Sequence, residues 1–419
     1  MSTHPIPPAR SVTADSSLAR KLHDLARRDV RFGEDRVAAP DVAWWRSVAA
    51  TGTRPWLDTG DLDEAGKLWC ASFAALTTNN TLLNKEVQKG LYDDLVREAA
   101  GLVASLPPAQ RVIEVAFLLN ARHGLRLASR FGGRVSVELH TDLADDVERS
   151  VAYGRRYYAI CPEHFIVKIP LTPAGLLATR QLRAEGIPVN FTLGFSARQN
   201  LIAAALSAPT YVNVFLGRLN AYVADNGLGD GINVGEKTTL ASQRAVRART
   251  ATRLVPTLQI AASMRSGEQV VSLAGVDVHT MPIAAAVGAL KTGGPVHDRT
   301  GDDPAVVLAP AAAHAGLDGL WTIGSNELAL ADSLEQQPPA TPGDLVARCA
   351  AHGLGGLFPA LNPDEATVIA SDGKIPKHAR WAARIAAGTA TVDGLLTMAA
   401  LASFTADQAA LDERIRRFL

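Results

Sequence analysis

Cysteine is scarce in this chain of 419 residues: Cys70, Cys161 and Cys349 are odd in number and far apart. They offer neither a disulfide framework nor a zinc-ligand spacing, which points to a reducing compartment. Net charge is lacking as well, since Lys+Arg 42 stands against Asp+Glu 42. That balance removes any global field drawing the chain to nucleic acid or to an acidic membrane, while leaving room for a local cluster that holds a small anion. No apolar run approaches the length of a membrane span. Residues 1–20 carry prolines and polar side chains without an apolar h-region, so no secretory signal is expected and the location is read as cytoplasmic. No cluster with metal-ligand spacing stands out, and neither metal nor cofactor is expected. What the chain does have is 47% hydrophobic residues, enough for a sizeable core in one large or two modest domains.

Residues 1–50 read as a polar leader and a short helical pattern, an N-terminal extension whose Trp44 and Trp45 pack against the rest. From residue 51 onward, short β-rich runs alternate with longer helical ones. Strands are expected near 54–58, 73–79, 134–140, 165–171, 188–195, 210–217, 254–262 and 276–282. Helical patterns lie between them at 91–104, 109–130, 142–158 and 173–185, among others. Such alternation indicates a parallel sheet, and eight units close a barrel. Parity within the strands agrees. Ser136, Glu138 and His140 share one face while Val135, Val137 and Leu139 share the other; Asn190 and Thr192 oppose Phe191, Leu193 and Phe195. An open doubly wound sheet would be apolar on both faces. The fold class is therefore α/β: a single (β/α)8 TIM barrel over 51–419, with the N-terminal helical extension and extra C-terminal helices covering the barrel.

Three stretches read as loops: 219–236, 291–305 and 333–345, each rich in glycine, proline or aspartate. Gly229 to Gly235 approaches a dinucleotide fingerprint but is one residue too long, and Gly235-Glu236-Lys237-Thr238 lacks the Gly-Lys step of a phosphate loop. An ordinary turn is expected there. The pattern over 395–419 is helical with basic residues near its end, where the dipole favours them. It reads as a covering or a dimer-forming helix, which leaves a homodimer open.

The run Phe165-Ile166-Val167-Lys168-Ile169-Pro170-Leu171 sets one lysine inside an apolar strand. Burial disfavours the charged ammonium, and a neutral lysine is a nucleophile toward carbonyls. By itself this is weak, because most strand lysines lay a stem on apolar surface and return the amine to water. The ends of the other strands add Asp58, Asn79, Glu138, Asn190 and Thr192, then Asn213 and Phe215 with Arg218 beyond, and Ser263 with Arg265. Each has an ordinary alternative: Asp58 and Asp61 as turn or cap residues, Asn79 as the cap of a helix near Leu82, Arg218 as a surface residue. Their joint placement where barrels collect their chemistry is not ordinary.

Seven segments, in order, resemble those of transaldolases: Asp58-Thr59-Gly60-Asp61, Thr77-Thr78-Asn79, Val135-Ser136-Val137-Glu138, Val167-Lys168-Ile169-Pro170, Asn190 to Ser196, Phe215-Leu216-Gly217-Arg218 and Ala262-Ser263-Met264-Arg265. The resemblance spans about residues 54–282 and recurs in the stretch starting at Phe404. It implies that Lys168 forms a Schiff base with the C2 carbonyl of a ketose phosphate. Asp58 would take the C4 hydroxyl proton, and Glu138 with Thr192 would hold a water for proton transfer. Asn79 and Asn190 would bind the retained dihydroxyacetone unit, Asn213 and Phe215 would line its site, and Arg218, Ser263 and Arg265 would grip phosphate. The implied function is transfer of dihydroxyacetone between sugar phosphates, as in the pentose phosphate pathway.

Two departures stand out. Transaldolases usually follow Thr-Asn with proline and serine, where this chain has Asn80-Thr81; and many carry serine where Asn213 stands. A lyase of the fructose-6-phosphate aldolase type is the nearest alternative, although Glu138 and Phe215 favour the transferase over relatives with glutamine and tyrosine there. A specialised transaldolase of secondary metabolism stays open. A non-catalytic sugar-phosphate-binding barrel is disfavoured, because binding alone has no use for a Schiff-base lysine.

Overall fold

A computed structural model describes residues 16–419; the first part of the polar leader, and of the stretch read for a secretory signal, lies outside the described residues. Eight parallel strands close into a barrel in chain order: β1 (Arg54–Asp58), β2 (Ala75–Thr77), β3 (Arg134–Glu138), β4 (Phe165–Pro170), β5 (Val189–Thr192), β6 (Tyr211–Phe215), β7 (Leu258–Ala262) and β8 (Val278–Met281). β8 pairs with β1, in a register that runs from Arg54↔Val278 to Leu57↔Met281. All eight expected strands are present, most of them trimmed at their ends. The largest trim is at β7, where Leu254 is fully exposed and the ladder begins only at Leu258.

The period of two builds two cores. Leu57, Leu76, Val135, Val137, Val167, Val212 and Ala261 point outward into the large core under the helices. Their neighbours Trp56, Ala75, Ile166, Tyr211, Ile260 and Val278 point inward and form a separate apolar plug. Within it the Trp56 and Tyr211 rings meet edge to face at 4.8 Å. Two residues further along most of these strands the inward position turns polar: Asp58 after Trp56, Thr77 after Ala75, Lys168 after Ile166, Asn213 after Tyr211, Thr280 after Val278. The plug keeps water out from below, and the polar layer faces the C-terminal mouth.

Helix starts after the strands are written in local chemistry. Thr172 accepts from the Gly175 N–H ahead of the helix Pro173–Ala184, with proline at its first position. Ser196 does the same for Ala197–Ser207 through Gln199. The N-terminal helices Ser17–Arg27 and Ala43–Ala50 bury Leu22, Leu25, Trp45 and Val48 in the main core, and Trp45 meets Phe73 at 5.0 Å.

Two loop expectations need correction. Within 219–236 the chain is helical to Asp225 and again from Val234, so the turn is confined to 226–233, where Gly227 and Gly231 take positive φ. The glycines end one helix without unravelling its apolar pattern, which includes Tyr222 and Val223. Within 333–345 a helix runs to Gln336 and stops before the prolines; Thr341 then caps Pro342–Ala351. Only 337–341 is loop. The helical pattern read over 142–158 is split into a 3-10 turn, Thr141–Leu143, and a helix, Val147–Ile160, capped by Asp146.

The C-terminal helix Val392–Arg416 crosses the mouth of the barrel and is held by polar bonds. Thr397 donates to the Leu193 carbonyl (3.0 Å), and His140 Nε2 meets Asp412 Oδ1 at 3.2 Å. Asp393 is the main anchor: it accepts from Ser196 Oγ (2.6 Å) and from Arg198 Nε (2.9 Å) and Nη2 (2.8 Å). Burial pushes its carboxyl up, but the Arg198 charge and these bonds outweigh that and hold it low. Asp393→Ala would leave the buried Arg198 with Glu327, at 3.8 Å, as its remaining ion-pair partner among the described residues. We expect a loss of about 3–5 kcal/mol, read as a lowered midpoint of chemical unfolding; an unchanged midpoint would show that the helix is held by its apolar contacts alone.

Candidate active site

Lys168 is almost wholly buried, at 3% exposure, as expected for a residue in a strand whose six positions are all covered. The parallel register places it between Glu138 on β3 and Asn190 on β5. Its Nζ donates to the Thr78 carbonyl at 3.3 Å, lies 3.5 Å from Glu138 Oε1, and sits 5.7 Å from the Phe404 ring. Burial pushes the Glu138 carboxyl up, and the Lys168 charge and the Asn80 N–H pull it part of the way back. That N–H donates to Glu138 Oε2 at 3.0 Å. A proline at position 80 would have no N–H to give, so this departure from the family pattern adds a donor to the carboxylate beside the lysine.

Asp58 ends β1. Burial pushes its carboxyl up to about 6, against the pull of Lys168 and with a push from Glu138. It lines a cavity of about 180 Å³ together with Asn79, Lys168, Asn190, Asn213, Phe215, Arg218, Ser263 and Arg265. Nine of the eleven residues expected at the site therefore surround one space. Glu138 and Thr192 do not line it: Glu138 stands behind Lys168, and the Thr192 hydroxyl is buried with no protein partner.

The asparagines divide their bonds between structure and cavity. Asn79 caps the helix Asn80–Gln88, its Oδ1 accepting from the Leu82 N–H at 2.8 Å, and the residue also lines the cavity. Asn190 donates to Ser136 Oγ at 3.0 Å, and its buried Oδ1 has no protein partner. Asn213 is more committed. Its Nδ2 donates to the Phe191 carbonyl (2.6 Å) and its Oδ1 accepts from the Gly194 N–H (3.2 Å). The paired register between β5 and β6 is a single position, Asn190↔Tyr211, and this side chain splices the two segments between that pair and the bond from the Phe215 N–H to the Gly194 carbonyl at 3.0 Å. A serine is too short to reach both groups. The fit explains the second departure and leaves one hydrogen and one lone pair for a ligand.

At the far end, Arg218 is 6% exposed, and no carboxylate pairs with it among the described residues. Burial, then the neighbouring Arg265 charge, lowers its guanidinium to about 10. A buried cation beside a second cation is costly unless an anion completes it. Gly217 permits the approach: a Cβ there would meet the Ser263 carbonyl at 2.2 Å and the Arg265 side chain at 2.9 Å. Ser263 takes φ +62, a conformation most residues avoid, at the strand end that presents Arg265. Phe215 forms the wall, stacked under Arg218 at 5.4 Å.

Sequence reasoning assigned no role to several cavity residues. The Thr77 and Thr280 hydroxyls bond to each other at 2.8 Å beside Asp58. Phe404 and Asp407 reach in from the C-terminal helix, where Thr81 donates to Asp407, and Lys374 reaches in from the segment 284–395. Phe404 had a signal, since it begins the recurring family-like stretch. Lys374 had none. A larger, more open cavity of about 770 Å³ lies by residues 29–35, and one of its cations, Lys89, is already paired with Asp61 and Glu86. Among the described residues no cluster of three metal-ligating side chains occurs, and no helix is long and apolar enough to cross a membrane.

Residues 55–337 match the family model for transaldolase/fructose-6-phosphate aldolase. A transaldolase of Xanthomonas euvesicatoria is 32% identical over 229 residues, 52% of this chain and 70% of the relative. A probable transaldolase of Thermus thermophilus is 34% identical over 240 residues, 56% of this chain and 90% of the relative. A buried lysine flanked by two carboxylates at the mouth of a closed eight-stranded barrel is thus joined to a sequence match over most of that barrel, and the chain belongs to the transaldolase/fructose-6-phosphate aldolase family of enzymes.

Proposed function

We propose that this enzyme is a cytoplasmic transaldolase, moving a dihydroxyacetone unit from a ketose phosphate, such as fructose 6-phosphate or sedoheptulose 7-phosphate, to an aldose phosphate. Its place would be the pentose phosphate pathway. Residues 51–419 would form the working barrel, and 1–50 its extension. The observation that carries this reading is Lys168, buried in a cavity that also holds Arg218, a buried arginine with no ion-pair partner among the described residues.

The Lys168 amine, once deprotonated, adds to C2 of the ketose. Loss of that oxygen as water needs a proton delivered to it, and Glu138 stands 3.5 Å from the amine to relay one through a water shared with Thr192. The resulting iminium is an electron sink. Asp58 takes the proton from the C4 hydroxyl, the C3–C4 electron pair flows into the iminium, and an aldose phosphate leaves. The three-carbon enamine stays on Lys168, its hydroxyls held by Asn79 and Asn190. An acceptor aldehyde reverses these steps, Asp58 returning the proton to the new hydroxyl. Arg218, Ser263 and Arg265 hold the phosphate of donor and acceptor in turn.

The test is borohydride reduction in the presence of fructose 6-phosphate, followed by peptide mass spectrometry. A reduced adduct on Lys168 is expected, and its absence under conditions where the sugar binds would sink the mechanism. Release of free dihydroxyacetone at full rate without an aldose acceptor would instead identify a lyase.

A further inference from the structure

We infer that Lys374 is a third cation of the phosphate end of the cavity and sets the preference for phosphorylated over unphosphorylated sugars. This rests on the function proposed above but uses a residue outside the family match, which ends at residue 337. The placement follows from one helix face. Arg218, Tyr222 and Asn226 are spaced four apart and share a side of the helix Leu216–Asp225 and its cap. The Tyr222 hydroxyl meets His378 Nδ1 at 2.7 Å. Asn226 accepts from the His378 N–H at 2.8 Å and donates to the Pro376 carbonyl at 3.0 Å. The loop that carries Lys374 is therefore fastened one and two turns along from Arg218, and Lys374 lines the cavity with Arg218, Arg265 and Asp407.

The loop is also internally fixed. Asp372, its carboxylate fully covered, accepts from the Lys377 N–H at 3.0 Å and from Arg380 Nη1 at 2.6 Å. Gly373, at φ +73, makes the turn. Among the described residues Lys374 itself has neither an ion pair nor a hydrogen-bond partner, although its loop neighbours do. Four cations line the cavity, Lys168, Arg218, Arg265 and Lys374, against two carboxylates, Asp58 and Asp407, and the surplus of two positive charges suits a phosphate monoester near neutral pH. Lys374 is exposed, so its contribution is that of a partly screened charge, weaker than either arginine.

The experiment titrates inorganic phosphate into the full-length enzyme by calorimetry, with Arg218→Met marking how much of the signal belongs to this cavity. Lys374→Ala is expected to weaken that binding roughly tenfold, Lys374→Glu to weaken it further, and Lys374→Arg to restore most of it. The ratio of kcat/KM for fructose 6-phosphate over fructose should narrow by about the same factor in Lys374→Ala. Unchanged phosphate affinity in all three variants, or an unchanged ratio, overturns the inference. Borohydride trapping of the unmodified enzyme separates the two claims. An adduct on Lys168 with indifferent Lys374 variants removes only this inference. No adduct, with Lys374-dependent phosphate binding, removes the transaldolase reading and leaves Lys374 as an anion ligand.

Discussion

Lys168→Met is expected to lower turnover by on the order of 10⁵-fold or more and to abolish the borohydride adduct, while the protein stays folded. The size follows from the proposed role: without an amine no iminium would form, and the C3–C4 bond would have no electron sink to break into. Methionine keeps the length and flexibility of the stem, so packing within the fully covered strand Phe165–Pro170 is preserved. The change leaves Glu138 buried with the Asn80 N–H as its remaining hydrogen-bond partner. Burial already holds that carboxyl up, and Lys168 is the foremost group pulling it down. In the variant the Glu138 carboxyl is therefore pushed further up, which favours its neutral form and limits the cost to stability. Circular dichroism and a denaturation curve check the fold, and a coupled assay checks turnover. Residual turnover near the wild-type rate would remove Lys168 from the chemistry whatever its burial.

The barrel was legible because its signal is local and repeated. Eight apolar runs, split by helical patterns, carry a period of two that the structure resolves into an outer core and an inner plug. The grouping of the candidate site residues was legible for the same reason: residues at one strand end, such as Asp58, Lys168 and Asn190, come to one cavity when the barrel closes in register. What escaped were contacts joining parts distant in sequence. Phe404 meets Lys168 across the mouth, Thr81 bonds Asp407, and Tyr222 and Asn226 capture the loop of Lys374. No spacing rule marks such pairs, since each depends on where a covering segment lands. The division of labour in Asn213 was hidden too, because it depends on β5 and β6 sharing only one register position. The helices inside 219–236 and 333–345 were missed because glycine and proline punctuate helix ends as readily as they fill loops.

Asp58→Asn should still form the imine but stall before carbon–carbon cleavage, with kcat reduced roughly 10³-fold, within the range for loss of a positioned general base. The decisive readout is the mass of the trapped adduct. Wild-type enzyme incubated with fructose 6-phosphate is expected to carry the three-carbon unit on Lys168 after reduction, and the variant the intact six-carbon phosphate. A three-carbon adduct formed at the normal rate in the variant would assign the proton transfer elsewhere. With the role proposed for it, the same residue would set the acid limb of activity. Burial pushes the Asp58 carboxyl up to about 6, so kcat/KM should fall as pH drops through that value, where the base becomes protonated. Its effect on stability has the opposite sign from that of a paired carboxylate. The folded state holds the proton to a higher pH than the unfolded chain does, so the ionised group opposes folding fully above about pH 6 and not at all below the ordinary carboxylate range. Asp58→Asn, which cannot ionise, should therefore be more stable than wild type at pH 7, by about 1–3 kcal/mol after allowing for water in the cavity. The difference should shrink toward nothing near pH 4. Denaturation curves at the two pH values check it; a variant equally stable or less stable at pH 7 would mean that the carboxylate is already solvated, and that its poise for catalysis comes from the substrate rather than from the fold.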